Sequence, residues 1–344
     1  MTQRRDCPAR RVRMSAHDPH PSHIKKAMSK HHGFRRLFAT DQMTLGLVLP
    51  LETYAEGTTP TMQDHLDIVR HAEAIGIPGL WLLDIPFFDP SYGAAGQVFE
   101  PLTYMAALAS VTTEIAIGTA GIVLPFREPH LFTKQVASVD LLSQGRCLIG
   151  LSMGHRVSEY SLFGIDYETR SSRLREIYRL YRILAEHDRP AFSSEVFGAS
   201  PGGYDIVPNP PFGRTPMIGI NGAGQDMAWV AREMEGIMMP VTDPDKLVDM
   251  VASWRRAIPD GSFKPISMVG FLNLEEDPDY PFRRDREGFH VGSRALARYM
   301  EQAREAGVNH FALNPRYTRR PMKELLEDLK TDVLPHFPAL SVGD

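Results

Sequence analysis

The chain has 344 residues, of which 43% are hydrophobic and 23% charged, enough apolar content for a full core and no sign of a disulfide scaffold. Residues 1–40 hold ten Lys and Arg against Asp6 and Asp18, a surplus of +8, while the remaining 28 Lys and Arg face 40 Asp and Glu, a balance of −12. An acidic body argues against nucleic acid as a partner. No run approaches the ~18 consecutive apolar residues of a membrane helix, and no apolar segment opens the chain, so no membrane partner and a cytoplasmic setting are expected.

Residues 1–42 carry Pro8, Pro19 and Pro21, little apolar periodicity, and alternative starts at Met14, Met28 and Met43. They are expected to form a disordered basic extension, with a targeting segment or a nucleic-acid arm as the alternatives. His31 and His32 fall in this head and read as incidental. Cys7 and Cys147 are far apart, and Cys147, inside an apolar run, reads as buried and reduced.

Order is expected from Met43. The run Met43 to Leu49 is a buried strand ending at Pro50, and Thr59-Pro60 suits a helix start. Gly79 to Leu83 is the second strand, delivering Asp84, and a loop of about sixteen residues follows, a length that is usually functional. A helix from Pro101 to Thr112 leads to strand three, Ile115 to Gly118. Phe132, Val136, Val139 and Leu142 then mark a helix before strand four, Gly145 to Ser152. Arg170 to Leu184 is helical, and about thirty irregular residues with Pro190, Pro201, Gly202, Gly203, Pro208, Pro210 and Pro211 read as a surface excursion.

Alternation resumes with strand five at Pro216 to Asn221, strand six at Gly236 to Met239, strand seven at Pro265 to Leu272 and strand eight at Gly307 to Leu313, with helices between. Eight strand–helix units predict a (β/α)8 barrel with insertions after strands two, four and seven, residues 43–340 forming one domain. A doubly wound open sheet is the runner-up.

Polar groups gather where strands end, the ligand-binding end of parallel α/β folds. Gly222-Ala223-Gly224-Gln225 between strand five and a helix can point amides at an anion, or can be a tight turn alone. Gly150 to Gly154, followed by His155, Arg156 and Glu159, lets a flat ligand approach the backbone. In this reading Arg156 can hold an anion and His155 a proton; in the other, Arg156 and Glu159 merely form an ion pair. Asp84, Arg127 to His130, and Glu52 to Tyr54 follow other strands in the same way, and each can be a structural charge. Metal and nucleophile templates are missing, so no metal is expected. Trp81 and Trp229 are expected to pack between barrel and helices. Phe87, Phe88, Tyr92, Phe192 and Phe197 suggest an apolar ligand, or loops pinned by aromatics.

With Gly118-Thr-Ala, Pro125, Pro129-His130, then Asp140-Leu-Leu-Ser-Gln-Gly-Arg146, Gly150, Gly154, Glu159 and Phe163-Gly164, the chain resembles the luciferase-like monooxygenase family, flavin-dependent (β/α)8 barrels. Within it the chain is most similar to a luciferase-type oxidoreductase branch, on Pro50-Leu-Glu52, Asp84-x-Pro86, Gly96-Gln97, Asn309-His310 and Leu334-Pro-His-Phe337. The resemblance implies reduced flavin mononucleotide (FMN) at the C-terminal rim, a separate flavin reductase to supply it, oxygen, an unidentified small organic substrate, and a homodimer. Other members use a 5-deazaflavin coenzyme and move hydride without oxygen, and a non-catalytic flavin-binding barrel is a third possibility. By the same resemblance the flavin phosphate maps to Gly222, Ala223, Gly224 and Gln225, and the ring to Thr119, Gly121, Ser152 and Gly154. His155 with Arg156 is then the catalytic or substrate-facing pair, flanked by Asp84 and Arg127. The sequence departs from its relatives at His155, where an acid is usual, and at Gly224, where a hydroxyl is usual.

Overall fold

The computed structural model describes residues 31–52, 59–89, 98–210, 212–221, 225–285 and 288–342. Eight parallel strands close into a ring in chain order: β1 (Thr44–Val48), β2 (Gly79–Leu82), β3 (Ala116–Thr119), β4 (Cys147–Ser152), β5 (Met217–Ile220), β6 (Gly236–Pro240), β7 (Ile266–Leu274) and β8 (His310–Asn314). Gly46 lies beside Gly79 where β1 meets β2, and Thr44 lies beside His310 where β8 returns to β1. The fold is a (β/α)8 barrel, as the alternation predicts.

The strands read as near-continuous apolar runs because both faces are covered. One alternate set, including Leu45, Leu47, Leu80, Ile117 and Ile149, packs outward on the helices. The other, including Val48, Trp81, Ala116, Leu148, Ile218, Met238 and Ala312, fills the barrel. Trp81 is therefore inside the barrel, not between barrel and helices. It fits because its neighbour is Gly118, where a Cβ would come within 2.5 Å of the indole. Trp229 packs in the outer core as expected.

Trp81 Nε1 donates to His310 Nε2 at 2.8 Å, and His310 Nδ1 lies 2.7 Å from Thr44 Oγ1, which donates to the Leu37 carbonyl at 3.0 Å. An indole can only donate, so His310 carries its proton on Nδ1 and gives it to Thr44. Burial pushes the His310 pKa down to about 3. The imidazole is neutral and each of its nitrogens is bonded.

Order begins before Met43. The helix His32–Leu37 closes the N-terminal mouth of the barrel, with Phe34, Leu37 and Phe38 buried against Trp81, Ala116, Leu148 and Ala312. Three such side chains contribute about 1.5–3 kcal/mol each by burial, which the polar flanks conceal in the sequence. His31 is not incidental: it is fully buried, 3.6 Å from the buried Asp140. Gly33 bonds to the Gly145 carbonyl so closely that a Cβ would strike the backbone of Arg146.

Two further segments differ from expectation. The first barrel helix starts at His65, not at Pro60, because the Glu52 carboxylate accepts the Thr61 and Met62 amides and holds that stretch as a turn. By contrast Pro101 and Pro129 do open helices, each preceded by a glutamate whose side chain caps the first turn. The excursion after β4 contains an antiparallel hairpin, Ala191–Ser194 with Gly198–Pro201. Its Phe192 is buried on Leu180 and Leu184, and Phe197 lies under the Arg173 guanidinium, so these two aromatics pin the loop.

Candidate active site

A cavity of ≈ 430 Å³ opens at the C-terminal ends of β2 to β7. Strand ends there supply short side chains on one side: Ala120 and Gly121 after β3, Ser152 and Gly154 at the end of β4. Across the ring β6 and β7 supply Met238, Pro240, Val269 and Phe271, and Ile220 and Asn221 close the arc. The arrangement is a mostly apolar cavity whose polar lining is Asp84, Ser152, His155, Arg156, Glu159 and Asn221.

The small residues are dictated by strand packing as well as by ligand access. A Cβ on Gly150 would lie 2.0 Å from the Thr119 carbonyl oxygen, and one on Gly121 would lie 2.5 Å from Ile220 and 2.7 Å from the Gly150 carbonyl oxygen. The peptide between Ala120 and Gly121 is cis. Gly154 sits at φ +71° and its amide bonds to Ser152 Oγ at 3.0 Å, a turn that brings His155 and Arg156 back over the cavity.

Asp84, Gly121, Ser152, Gly154, His155 and Arg156 all line this cavity. Thr119 does not: it is fully buried, and its hydroxyl donates to the Gly150 carbonyl and accepts the Gly150 amide, stitching β3 to β4. Arg127 lies one layer out. It grips both oxygens of Asp84 at 2.8 Å and reaches Glu100 at 2.8 Å. Asp84 also accepts the Val123 amide, which ties the β2 loop to the segment after β3.

Gly222, Ala223 and Gly224 lie outside the described residues. Gln225 is buried and donates to the Leu151 carbonyl at 2.8 Å, leaving its own oxygen without a partner. The helix behind it, Met227–Glu233, was expected to turn its N-terminus toward a phosphate. Its Ala228 and Trp229 amides bond to the Asp226 carboxylate, which also pairs with Arg175, and the turn at 222–224 that leads into it lies outside the described residues.

Glu159 is the residue that pattern reading undervalued. It lines the cavity, is almost wholly buried and bonds to Arg156 at 3.2 Å. Burial raises its carboxyl above the ordinary glutamate range against the pull of Arg156. Burial, assisted by Arg156, lowers the His155 imidazole below the ordinary histidine range. The cavity is thus lined by an imidazole whose pKa is lowered and a carboxyl whose pKa is raised, with Arg156 acting on both. Only the spacing of Glu159 one helical turn after Arg156 signals this in sequence.

The small-residue wall facing Ile220, Met238, Val269 and Phe271 fits a flat fused-ring group such as a flavin or deazaflavin. Of the four residues mapped to a phosphate, Gln225 is the one that is described. Among the described residues no group of three or more metal-ligating side chains comes together, and no helix is long and apolar enough to cross a membrane.

Comparison with known proteins extends this picture. The family model described as luciferase-like monooxygenase matches residues 43–279. The F420-dependent glucose-6-phosphate dehydrogenase of Amycolatopsis mediterranei is 29% identical over 139 residues, 39% of this chain and 41% of that protein. The protein of the same name from Mycobacterium avium is 27% identical over 246 residues, 68% of this chain and 70% of that one. The match thus spans less than half the length of the first of these relatives. Among solved structures, a monooxygenase from Streptomyces bottropensis has a TM-score of 0.70 at 17% identity, covering 86% of this chain and 100% of that one. An F420-dependent secondary alcohol dehydrogenase has 0.69 at 17%, covering 88% and 100%. These two likenesses establish the barrel fold.

Proposed function

This chain belongs to the luciferase-like monooxygenase family, and from that membership and the chemistry of the cavity we infer that it is an oxidoreductase working on a bound deazaflavin or flavin ring. The leading reading is hydride transfer with a 5-deazaflavin coenzyme, F420. It is supported by the names of the curated relatives. The observation that carries it is a largely apolar cavity walled by small residues and lined by the His155 imidazole, whose pKa burial and Arg156 lower, and by the buried Glu159 carboxyl.

Bound there, such a coenzyme supplies an acceptor for the hydride that leaves a substrate carbon. Ala120, Gly121, Ser152 and Gly154 would hold its ring. His155, kept neutral by burial and by Arg156, takes the proton from the substrate hydroxyl. Arg156, held by the Glu159 carboxylate, fixes the loop that carries His155. Asp84 and Arg127 anchor the opposite lip, and Ile85 and Phe271 keep water from the slot.

A second reading is oxygenation with reduced FMN delivered by a separate reductase, favoured by the description of the family itself. Titrating the purified protein with oxidised F420 and, anaerobically, with reduced FMN separates the two. The leading reading expects one-to-one F420 binding and its reduction when alcohols are added. Tight binding of reduced FMN, oxygen consumption and no affinity for F420 would replace it with the second.

A further inference from the structure

Beside the main cavity lies a second hollow of ≈ 330 Å³ that shares Asp84 and Ile85 with it. Its walls are Pro86, Val98, Phe99, Pro101, Phe126 and Phe163. The Phe126 and Phe163 rings stack with centroids 4.3 Å apart and planes 18° apart, so the wall is already built. Yet Phe99 and Phe163 each remain 40% exposed and Val98 46%. Scattered apolar exposure is ordinary, but a contiguous apolar wall lining a hollow marks a binding surface.

The polar side of the hollow is the trio Asp84, Glu100 and Arg127. All four carboxylate oxygens are engaged. Arg127 donates to both oxygens of Asp84 and to Glu100 Oε1, the Val123 amide donates to Asp84 Oδ2, and the Thr103 amide donates to Glu100 Oε2. An entering anion meets a net charge of −1 on this trio, and an entering cation competes with Arg127 for carboxylate oxygens that already accept hydrogen bonds. Either ion would also shed its water among aromatic walls. In the main cavity Arg156 is likewise held by Glu159.

We propose that this hollow is a substrate subsite that takes the body of an uncharged, ring-bearing alcohol or ketone and rejects phosphorylated and carboxylated molecules. Calling the ligand a substrate rests on the oxidoreductase reading above; the preference for an uncharged apolar ligand rests on the apolar walls and on carboxylates already engaged by Arg127. The chemistry sets this chain apart from the sugar phosphate in the names of its curated relatives.

The test is calorimetric titration of the full chain, with and without F420, using 2-naphthalenemethanol, 2-naphthoate, 2-naphthylmethylamine and glucose 6-phosphate. The alcohol is expected to bind at least about tenfold more tightly than any of the charged probes, about 1.4 kcal/mol. Phe163→Ser, at a half-exposed position, should keep the melting temperature and weaken the alcohol about tenfold, and Phe126→Leu should weaken it less. Glu100→Gln keeps the Thr103 cap and loosens Arg127, so naphthoate should gain several-fold while the alcohol is unchanged. Naphthoate, the amine or glucose 6-phosphate matching the alcohol overturns the proposal, as does an alcohol affinity indifferent to Phe163→Ser in a folded protein. F420 binding without alcohol binding removes the subsite and leaves the oxidoreductase reading. Alcohol binding without F420 or FMN binding does the reverse.

Discussion

At position 155 two influences act in the same direction: partial burial disfavours the imidazolium, and the neighbouring Arg156 guanidinium repels it. A base of this kind works above its pKa. The kcat/KM profile should therefore fall on the acid side with a midpoint below 6.5, the ordinary histidine value. His155→Ala should erase that limb and lower kcat by about 10²-fold while coenzyme affinity changes little. Arg156→Gln should move the midpoint upward. Stopped-flow reduction of F420 between pH 5 and 8 checks all three, and equal losses in turnover and coenzyme affinity for His155→Ala would remove its role. Glu159→Gln is expected to cut kcat with a smaller effect on ring binding, measured in the same assay. The sequence displayed His155, Arg156 and Asp84 plainly, because charged residues directly after apolar strands stand out. It could not separate Thr119, whose hydroxyl turns between strands, from Ser152, which lines the slot two strand positions past Gly150. That difference is one of side-chain direction at the frayed end of a strand.

Elements carry a different lesson. The run from Asp140 to Arg146, which marked the family most clearly, contributes nothing to the cavity. Arg146 is buried and donates five hydrogen bonds, to the carbonyls of Ser143, Ile115, Ala109 and Thr112 and to the Thr112 hydroxyl. It gathers the end of the helix Pro101–Val111, the entry to β3 and the turn before β4. Gln144 and Gly145, both at positive φ, make that turn. Arg146→Met should leave these carbonyls unsatisfied and destabilise the protein by about 3 kcal/mol, read from urea unfolding. Cofactor affinity in the protein that remains folded should be unchanged. A motif can therefore be specific to a family and still be architectural. The helix His32–Leu37 makes the opposite case. Its two arginines, with His31 and His32 at its start, read as part of a basic tail, and only the tertiary setting turns Phe34, Leu37 and Phe38 into a stopper. Leu37→Ala should cost about 2–4 kcal/mol in the same unfolding experiment.

For the molecule as a whole, the chain Trp81–His310–Thr44–Leu37 ties global stability to pH. The folded pKa of His310, about 3, lies below its unfolded value of 6.5. Between those values the unfolded chain binds a proton that the native state refuses, so stability is fully present above about pH 6.5 and falls as the pH drops toward 3. Urea midpoints should decline steadily from pH 7 to pH 4.5, with this one group accounting for roughly 2–3 kcal/mol over that interval. His310→Gln should start lower and decline less steeply. A midpoint that held constant down to pH 4.5 would contradict the arrangement. The alternation of eight strands and helices made the barrel legible because strands buried on both faces and crossover helices leave few other closures. The contents of the barrel were not legible, since nothing in the run Gly79 to Leu83 says which face Trp81 will take.

The same contact has a consequence during synthesis. Thr44 and His310 are 266 residues apart in the chain, and their pairing is the seam that closes the ring. At ribosomal rates of about 5–20 residues per second, the first strand waits on the order of 13–50 s for its last neighbour. Throughout that interval β1 has one bare edge, and Leu37, Phe34 and Trp81 have no sealed interior to enter. An open sheet edge beside uncovered aromatics is a template for pairing between nascent chains. This protein's hazard in the cell is therefore concentrated before release from the ribosome, and its soluble yield should depend on chaperone supply more steeply than its finished stability suggests.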